Sequence, residues 1–280
     1  MLRWTCTVGQ VVRKLHEGEV VAGVTSLADE VYVLREKERD QVEVYDVINY
    51  RLQRRLTVPK NIRVFEDMTS CEHYRCVYIY DDSGECIHRL DVQGAFTQWT
   101  VKGRPRGISV NAAHNVLVTC RDVRKIKEFS SHGDLLRELK LPVAVINPRH
   151  AIQTRNGEFI VCHGGLRDDA VCRVCKISAD GRHVIHSHGG QPGSDTGQYY
   201  WPIRLAVDNN EFVFVADYDN RRVTLLSPTL DYIGQVVSPD DLKGGPYGLC
   251  LDVHRRRLYV ADIELKDSKF TAGRVVVLRT

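Results

Sequence analysis

The chain has 280 residues, of which 43% are hydrophobic and 27% charged, and its formal net charge is +3. This composition is that of an ordinary globular protein and excludes a disordered chain. The net positive charge is too small to indicate, by itself, a surface that binds nucleic acid or an anionic membrane. No apolar run reaches the ~20 residues that span a bilayer, and the first residues lack the apolar core of a signal peptide. We therefore expect a cytoplasmic protein with no membrane partner.

Strand-like apolar runs follow one another along the whole sequence. The first, "WTCTVGQVVRKLHE", precedes a unit that recurs six times. Each unit has apolar runs separated by short polar turns, and every unit but the last adds a weaker fourth run. The units occupy residues 23–56, 61–101, 106–139, 149–187, 201–238 and 247–278. Four antiparallel strands in about 45 residues are typical of one propeller blade.

Prolines at the start of the units measure the period. They are spaced 43 to 54 residues apart, and they are Pro59, Pro105, Pro148, Pro202 and Pro246. This spacing favours blades over helical repeats of ~33–34 residues. The sixth unit stops after its third run at Leu278, so the N-terminal strand is predicted to complete it, because a closed ring leaves no exposed sheet edge. The predicted fold is an all-β, six-bladed β-propeller with four antiparallel strands per blade, forming a single domain over residues 1–280.

One unit carries a recognisable motif. The stretch "GGQPGSDTGQYYWPIRLAVDNNEFVFVADYDNRRVTLLSP" (189–228) resembles the NHL repeat, and the segment 246–280 resembles it in part. The resemblance implies that Asp217, Asn220 and Arg222 brace the turn between the second and third strands of their blade. It also implies a likeness to propellers of the TRIM-NHL type, which often end ubiquitin-ligase chains. The RING, B-box and coiled-coil segments of such ligases are not found in these 280 residues, so the resemblance gives no ground to assign ligase activity, and both a stand-alone receptor and a piece of a longer protein stay open.

Cysteine usage indicates thiols rather than disulfides. The nine cysteines are an odd number, and several lie inside apolar runs, as Cys120 and Cys250 do. Buried, reduced cysteines are therefore expected. The "CRVC" at 172–175 has metal-site spacing, but on a strand residues three apart face opposite sides.

The mouth of the central channel is where a site is expected, because inner strands of a closed ring begin together at one rim. Aligning the units places six residues at equivalent positions there: Gly23, Asn61, Gly107, His150, Arg204 and Gly248. A single histidine cannot form the three-histidine zinc site of six-bladed amidating lyases. Asn61 beside Arg204 does not suit the calcium of lactonases and phosphotriesterases, which needs 6–8 oxygen ligands. We therefore predict no metal, no cofactor and no catalytic group.

The polar and aromatic residues of this rim are the predicted partner-binding site. They are Arg106, His150, Tyr200, Trp201, Arg204 and Tyr247. The basic members suit a small anion or an acidic side chain, and the aromatic members suit a peptide. In the alternative interpretation, these residues merely cap the channel by bonding neighbouring carbonyl groups and waters.

The function predicted from the sequence is a non-enzymatic, monomeric recognition platform for a protein or peptide partner. The first alternative is single-stranded RNA binding through the same rim. The argument against it is that acidic residues of the rim loops roughly cancel the charge of the basic runs. The second alternative is a propeller hydrolase of the lactonase or phosphotriesterase kind.

Overall fold

A computed structural model describes residues 10–15, 20–35, 41–58, 65–82, 85–165, 171–266 and 269–280. These residues form strands joined by turns and loops. The first twelve strands are β1 Gln10–Leu15, β2 Val21–Leu27, β3 Glu30–Arg35, β4 Gln41–Asp46, β5 Leu52–Thr57, β6 Phe65–Cys71, β7 Cys76–Asp81, β8 Cys86–Asp91, β9 Phe96–Thr100, β10 Pro105–Val110, β11 Val116–Cys120 and β12 Lys125–Phe129. The others are β13 Leu135–Lys140, β14 Pro148–Gln153, β15 Phe159–His163, β16 Cys172–Ile177, β17 Val184–Gly190, β18 Pro202–Val207, β19 Val213–Asp217, β20 Arg222–Leu226, β21 Tyr232–Val237, β22 Gly245–Asp252, β23 Arg257–Lys266 and β24 Lys269–Arg279.

The strands pair into six antiparallel sheets of four, which are the six blades. Blades 1 to 5 are β2–β5, β6–β9, β10–β13, β14–β17 and β18–β21. Blade 6 has the order β22, β23, β24, β1, so the N-terminal strand is its outermost member. The predicted fold class is therefore confirmed, including the closing strand.

The outermost strand of each blade is its least buried strand. The second strand of blade 5, β19, is buried at all five positions, as expected for a strand whose two faces are both apolar. The outermost strand of blade 3, β13, is exposed at all positions but one. Apolar residues on both faces thus mark strands that lie between neighbouring blades.

The apolar core is divided among the contacts between blades. Between blades 4 and 5, for example, Ile160 of β15 packs with Leu205 of β18 and Val215 of β19. Burying one such side chain contributes roughly 1.5–3 kcal/mol relative to leaving it exposed. The contact between blades 6 and 1 is built in the same way, since Leu15 and Tyr259 of blade 6 pack in one cluster with Val33 of blade 1.

A buried carboxylate braces blade 5, as the NHL resemblance implies. Asp217 Oδ2 accepts hydrogen bonds from Asn220 Nδ2 at 2.6 Å and from Arg222 Nε at 3.1 Å. Its Oδ1 accepts the backbone N–H groups of Tyr200 and Trp201, both at 3.0 Å. The brace therefore also fixes the loop that carries two of the predicted site residues.

Blade 4 has a neutral pair in the place of this brace. His163, which ends β15, has its Nε2 3.2 Å from Cys175 Sγ, and both residues are buried. Burial lowers the pKa of His163 to about 4 and raises the pKa of Cys175 to about 12, so both groups are uncharged at neutral pH. Eight cysteines lie in the described ranges, and all are free thiols. Within those ranges no helix is long and apolar enough to cross a bilayer.

Candidate functional site

Every inner strand has a register shift near its first residue, and this shift builds the mouth of the channel. In β10, for instance, Pro105 pairs with Cys120 but Gly107 pairs with Thr119, which leaves Arg106 outside the ladder. The same irregularity occurs in the inner strands of the other five blades. Such bulges re-aim side chains next to binding sites.

The shifts define two stacked rings of residues. The bulged residues form the mouth ring, which consists of Ala22, Glu66, Arg106, Arg149, Ile203 and Tyr247. The residues that follow them form the plug ring, which consists of Gly23, Asp67, Gly107, His150, Arg204 and Gly248. Five of the six aligned positions are thus as predicted from the sequence. Asn61 lies outside the described residues, and its predicted position belongs to Asp67, because β6 begins only at Phe65.

An ion pair crosses the channel axis within the plug ring. Arg204 of blade 5 lies opposite Asp67 of blade 2, and the two side chains are 4% and 5% exposed. Arg204 Nε is 3.0 Å from Asp67 Oδ1, a charged contact that is not aligned as a hydrogen bond. Arg204 also donates to the carbonyl oxygens of Ile203 and Glu66. The side chains of Arg204 and Asp67 therefore fill the channel axis at the level of the plug ring.

The plug also satisfies backbone groups on the free edges of the inner strands. Asp67 Oδ2 accepts the N–H of Ile108 at 2.9 Å. His150 Nδ1 accepts the N–H of Leu205 at 3.3 Å, so its proton is on Nε2, which donates to the carbonyl of Ile108 at 3.0 Å. Burial lowers the pKa of His150, which keeps its imidazole group neutral. These contacts of His150 and Arg204 are those of a channel cap.

Gly107 is required beside this histidine. A Cβ atom built on Gly107 would lie 2.6 Å from His150 Cδ2 and 2.6 Å from the carbonyl oxygen of Arg149. Both distances are shorter than any van der Waals contact allows. The glycine at this position of the plug ring thus reflects the space that His150 occupies.

In the mouth ring, one carboxylate serves two of the predicted site residues. Glu66 accepts a hydrogen bond from Arg106 Nη1 at 3.0 Å and another from the Tyr247 hydroxyl at 2.9 Å. Tyr247 also lies under the guanidinium of Arg204, 5.5 Å from the ring centroid. Burial, together with Glu66, raises the pKa of the Tyr247 hydroxyl. Arg106 and Tyr247 therefore have internal partners.

Arg149 is the charged member of the mouth ring that has no counter-charge among the described residues. It is 8% exposed, and its guanidinium stacks on Trp201, 5.1 Å from the ring centroid. It forms no hydrogen bond or ion pair with any other residue that the structure describes, and its Nε is buried. The charge of Arg149 interacts electrostatically with the carboxylate of Asp219, but the two side chains do not form an ion pair. Burial and the nearby Arg121 and other arginines lower the pKa of Arg149 to about 10, so it stays charged at neutral pH.

The aromatic residues of the predicted site lie beside Arg149. Tyr200 is 40% exposed, whereas Trp201 is half-buried and its Nε1 has no acceptor among the described residues. Ring contacts continue from Trp201 to Tyr218 at 5.2 Å, from there to Tyr247 at 6.0 Å and on to Phe270 at 5.2 Å. These rings form a continuous apolar support under one side of the mouth.

The structure thus brings the six predicted residues to one end of the channel but gives them different environments. Arg106, His150, Arg204 and Tyr247 bond to residues of other blades, while Tyr200 and Trp201 retain exposed surface for a partner. The binding site predicted from the sequence did not include Glu66 or Asp67. Charged residues in the apolar-flanked segment "NIRVFEDM" were the available signal, because a charge inside a buried strand needs a partner.

A cavity of about 340 Å³ lies on the far side of the plug. Asp67, His150 and Arg204 form one end of it, and at the other end lie Asp252, which ends β22, and the turn residues Asn209 and Arg255. The channel is therefore blocked at the mouth and extends toward the opposite face. Within the described ranges, no three His, Cys, Asp or Glu residues are grouped as ligands for a metal ion.

Solved structures share this fold at low sequence identity. The Swd1 β-propeller domain of Myceliophteria thermophila is 12% identical, with a TM-score of 0.66, and the similarity covers 97% of this chain and 99% of that one. Virginiamycin B lyase of Staphylococcus aureus is 12% identical, with a TM-score of 0.60 over 92% and 87% of the two chains. Hydrazine synthase of Kuenenia stuttgartiensis is also 12% identical, with a TM-score of 0.63 over 100% and 99%.

At such identities the likeness shows the fold alone, and the similar proteins include both a propeller named for no reaction and enzymes. No protein-family model and no curated protein sequence matches the chain. The NHL motif therefore stays a resemblance, and what the comparisons establish is a six-bladed β-propeller.

Proposed function

We propose that the protein is a recognition platform that binds a protein or peptide partner on the mouth face, the end of the ring where the inner strands begin. The observation that carries the proposal is the exposure of large apolar side chains on loops of this face. Val143 is 76% exposed, Ile146 49% and Val123 42%. Exposed apolar groups gathered on one face are typical of protein-interaction surfaces.

These side chains lie on loops that follow one another around the mouth. Val123 is in the turn between β11 and β12, and Val143 and Ile146 are in the loop from blade 3 to blade 4. Tyr200 is in the next loop, from blade 4 to blade 5. A hydrogen bond from Arg124 Nη1 to the carbonyl of Val143, at 3.5 Å, connects the first two segments. We call Val123, Val143, Ile146 and Tyr200 the mouth patch.

The plug supports a surface role for this face. Arg204 and Asp67 fill the axis directly beneath the mouth ring. A partner would therefore lie across the mouth rather than pass into the channel. Most of the polar groups at the mouth are already bonded to residues of other blades, which favours a preformed, rigid surface.

The test is affinity capture from the source cells with a Val143→Ser, Ile146→Ser double variant. We expect its apparent affinity for the captured partner to fall about tenfold or more, since removal of central apolar contacts costs 1–2 kcal/mol or more. Ile48→Ser is the matched control, because Ile48 is 83% exposed in a turn on the opposite face. Its capture and the melting temperatures of both variants should match those of the wild type.

Two results would overturn the proposal. Leu136 is 52% exposed on the outermost strand of blade 3, and loss of capture by Leu136→Ser but not by the double variant would place the partner at the rim of the ring. Loss of capture after nuclease treatment, together with affinity for single-stranded RNA that falls steeply with salt, would make RNA the partner.

A further inference from the structure

We infer that Arg149 is the binding site for a single carboxylate group, carried by an aspartate or glutamate side chain of the peptide that the mouth patch binds. This inference rests on the proposed function and adds the chemistry of its partner. The carboxylate would pair with the guanidinium from the solvent side, opposite the blade interior.

The charges of the two rings leave Arg149 as the unmatched cation. Arg204 faces Asp67 at 3.0 Å, and Arg106 is bonded to Glu66 at 3.0 Å. In the parts of the chain that the structure describes, no carboxylate forms an ion pair or a hydrogen bond with Arg149. Two of the three arginines of these rings thus have a carboxylate partner, and the third has none among the described residues.

Arg149 is too deeply buried to be an ordinary surface charge. It is 8% exposed, and its Nε is shielded from solvent without a hydrogen-bond acceptor among the described residues. An unpaired buried charge is unfavourable, and the stack on Trp201 recovers only about 0.5–2 kcal/mol of this cost. A buried, unpaired guanidinium binds a counter-ion more strongly than an exposed one does, because the cost of removing its hydration shell has already been met in folding.

The nearby charges favour a singly charged ligand. Glu66 and Asp67 already neutralise Arg106 and Arg204, and the carboxylate of Asp219 is close enough to interact with the charge of Arg149 without pairing with it. One carboxylate therefore balances Arg149, whereas a phosphate dianion would add a second negative charge near Asp219. The nearby Arg121 is already beside Asp122, at 3.9 Å.

The apolar surroundings favour a carboxylate that belongs to a peptide. Trp201 packs under the guanidinium, Tyr200 precedes Trp201 in the chain and is exposed, and Ile146 precedes Arg149 by three residues on the same face. A free anion would leave these side chains in water. An acidic residue flanked by aliphatic residues would cover them and pair with Arg149 at the same time.

The first experiment selects ligands from a random peptide library displayed on phage, with the wild type and Arg149→Met as separate targets. Methionine keeps the apolar stem over Trp201 and removes the charge. We expect the wild type to select peptides with one acidic position flanked by aliphatic residues, and Arg149→Met to lose the acidic preference. Arg256→Met is the matched control, because Arg256 is an exposed arginine in a turn on the opposite face.

The second experiment measures the coupling between the two charges. The strongest selected peptide and its Glu→Gln or Asp→Asn form are titrated into the wild type and Arg149→Met by calorimetry. For the wild type, the amide form should bind about ten- to a hundredfold more weakly, which is the usual strength of a charged hydrogen bond. For Arg149→Met, the acidic and amide forms should bind within about twofold of each other.

The outcomes separate this inference from the proposed function. If selected peptides need Val143 and Ile146 but show no acidic preference, the carboxylate site is wrong and the mouth patch stands. If no selected peptide depends on the mouth patch, both are wrong. A wild type that prefers a phosphorylated peptide to its acidic counterpart would replace the carboxylate by a phosphate. If Arg149→Met does not fold, the comparison of the acidic and amide peptides on the wild type still decides whether a carboxylate is bound.

Discussion

Two buried arginines at the mouth of the channel differ in one respect. Arg204 and Arg149 are 4% and 8% exposed, and both stack on an aromatic ring. Arg204 has Asp67 at 3.0 Å across the axis, whereas Arg149 has no such partner among the described residues. The same side chain at a similar depth therefore serves the fold where it is paired, and is available to a ligand where it is not.

The largest expected effect comes from breaking the paired arginine. Asp67→Asn keeps the shape of the side chain but leaves Arg204 as an uncompensated buried charge. We expect a loss of about 3–5 kcal/mol in the free energy of unfolding, measured by urea denaturation. The surface pair of Asp29 and Arg255 is the matched control, because Asp29 is 84% exposed. Asp29→Asn should cost less than about 1 kcal/mol, and an equally small loss in Asp67→Asn would contradict a structural role for the plug.

An intermediate effect should appear on acidification, through a buried group that can lose its charge. The folded-state pKa of His163 is about 4, below the ordinary unfolded value. Below about pH 6.5 His163 therefore binds a proton in the unfolded chain but not in the folded chain. As the pH falls further, down to about pH 4, stability decreases by up to about 1.4 kcal/mol per pH unit.

The measurement is the free energy of unfolding at pH 7 and pH 5, for the wild type and His163→Gln. The histidine should account for a loss of about 2 kcal/mol between these two values. The variant should show a correspondingly shallower dependence on pH. An unchanged dependence would mean that His163 is not held neutral by burial, and the contrast with Arg149, which cannot shed its charge at these pH values, would lose its basis.

The smallest effect on stability is expected for the unpaired arginine. Arg149→Met removes a buried charge that has no counter-charge in the described part of the protein, so the free energy of unfolding should change by less than about 1 kcal/mol or rise. Urea denaturation beside Asp67→Asn measures the difference directly. A loss as large as that of Asp67→Asn would show that Arg149 has a structural partner and would remove the distinction between the two arginines.

The ring and its closure followed from the sequence because they depend on local features. Apolar runs such as "EFVFVAD" mark strands covered on both faces, and the spacing of the prolines sets the size of a blade. The unfinished sixth unit and the extra strand before the first unit then predict the pairing of β1 with β24. Each of these signals lies within about 50 residues of sequence, which is one blade.

The partners in the channel were not predictable in the same way. Arg204 and Asp67 are on opposite blades, so no local pattern connects them. The alignment also took the apolar "NIRVF" as the start of the inner strand of blade 2, whereas β6 carries Glu66 and Asp67 near its beginning. Their charges made this segment look less like a buried strand, and only the assembled ring shows that arginines from other blades neutralise them.

The pairing of β1 with β24 affects how the molecule is made. Lys14 lies beside Val276, and Leu15 beside Val275, so the first of the described strands to be synthesised must wait for the last of them. Until β24 is made, β1 has no strand to pair with and the ring cannot close. A nascent chain of this protein should therefore need shielding from other unfinished chains during translation, and a version whose synthesis starts with β2 and ends with β1 should be freed from that delay.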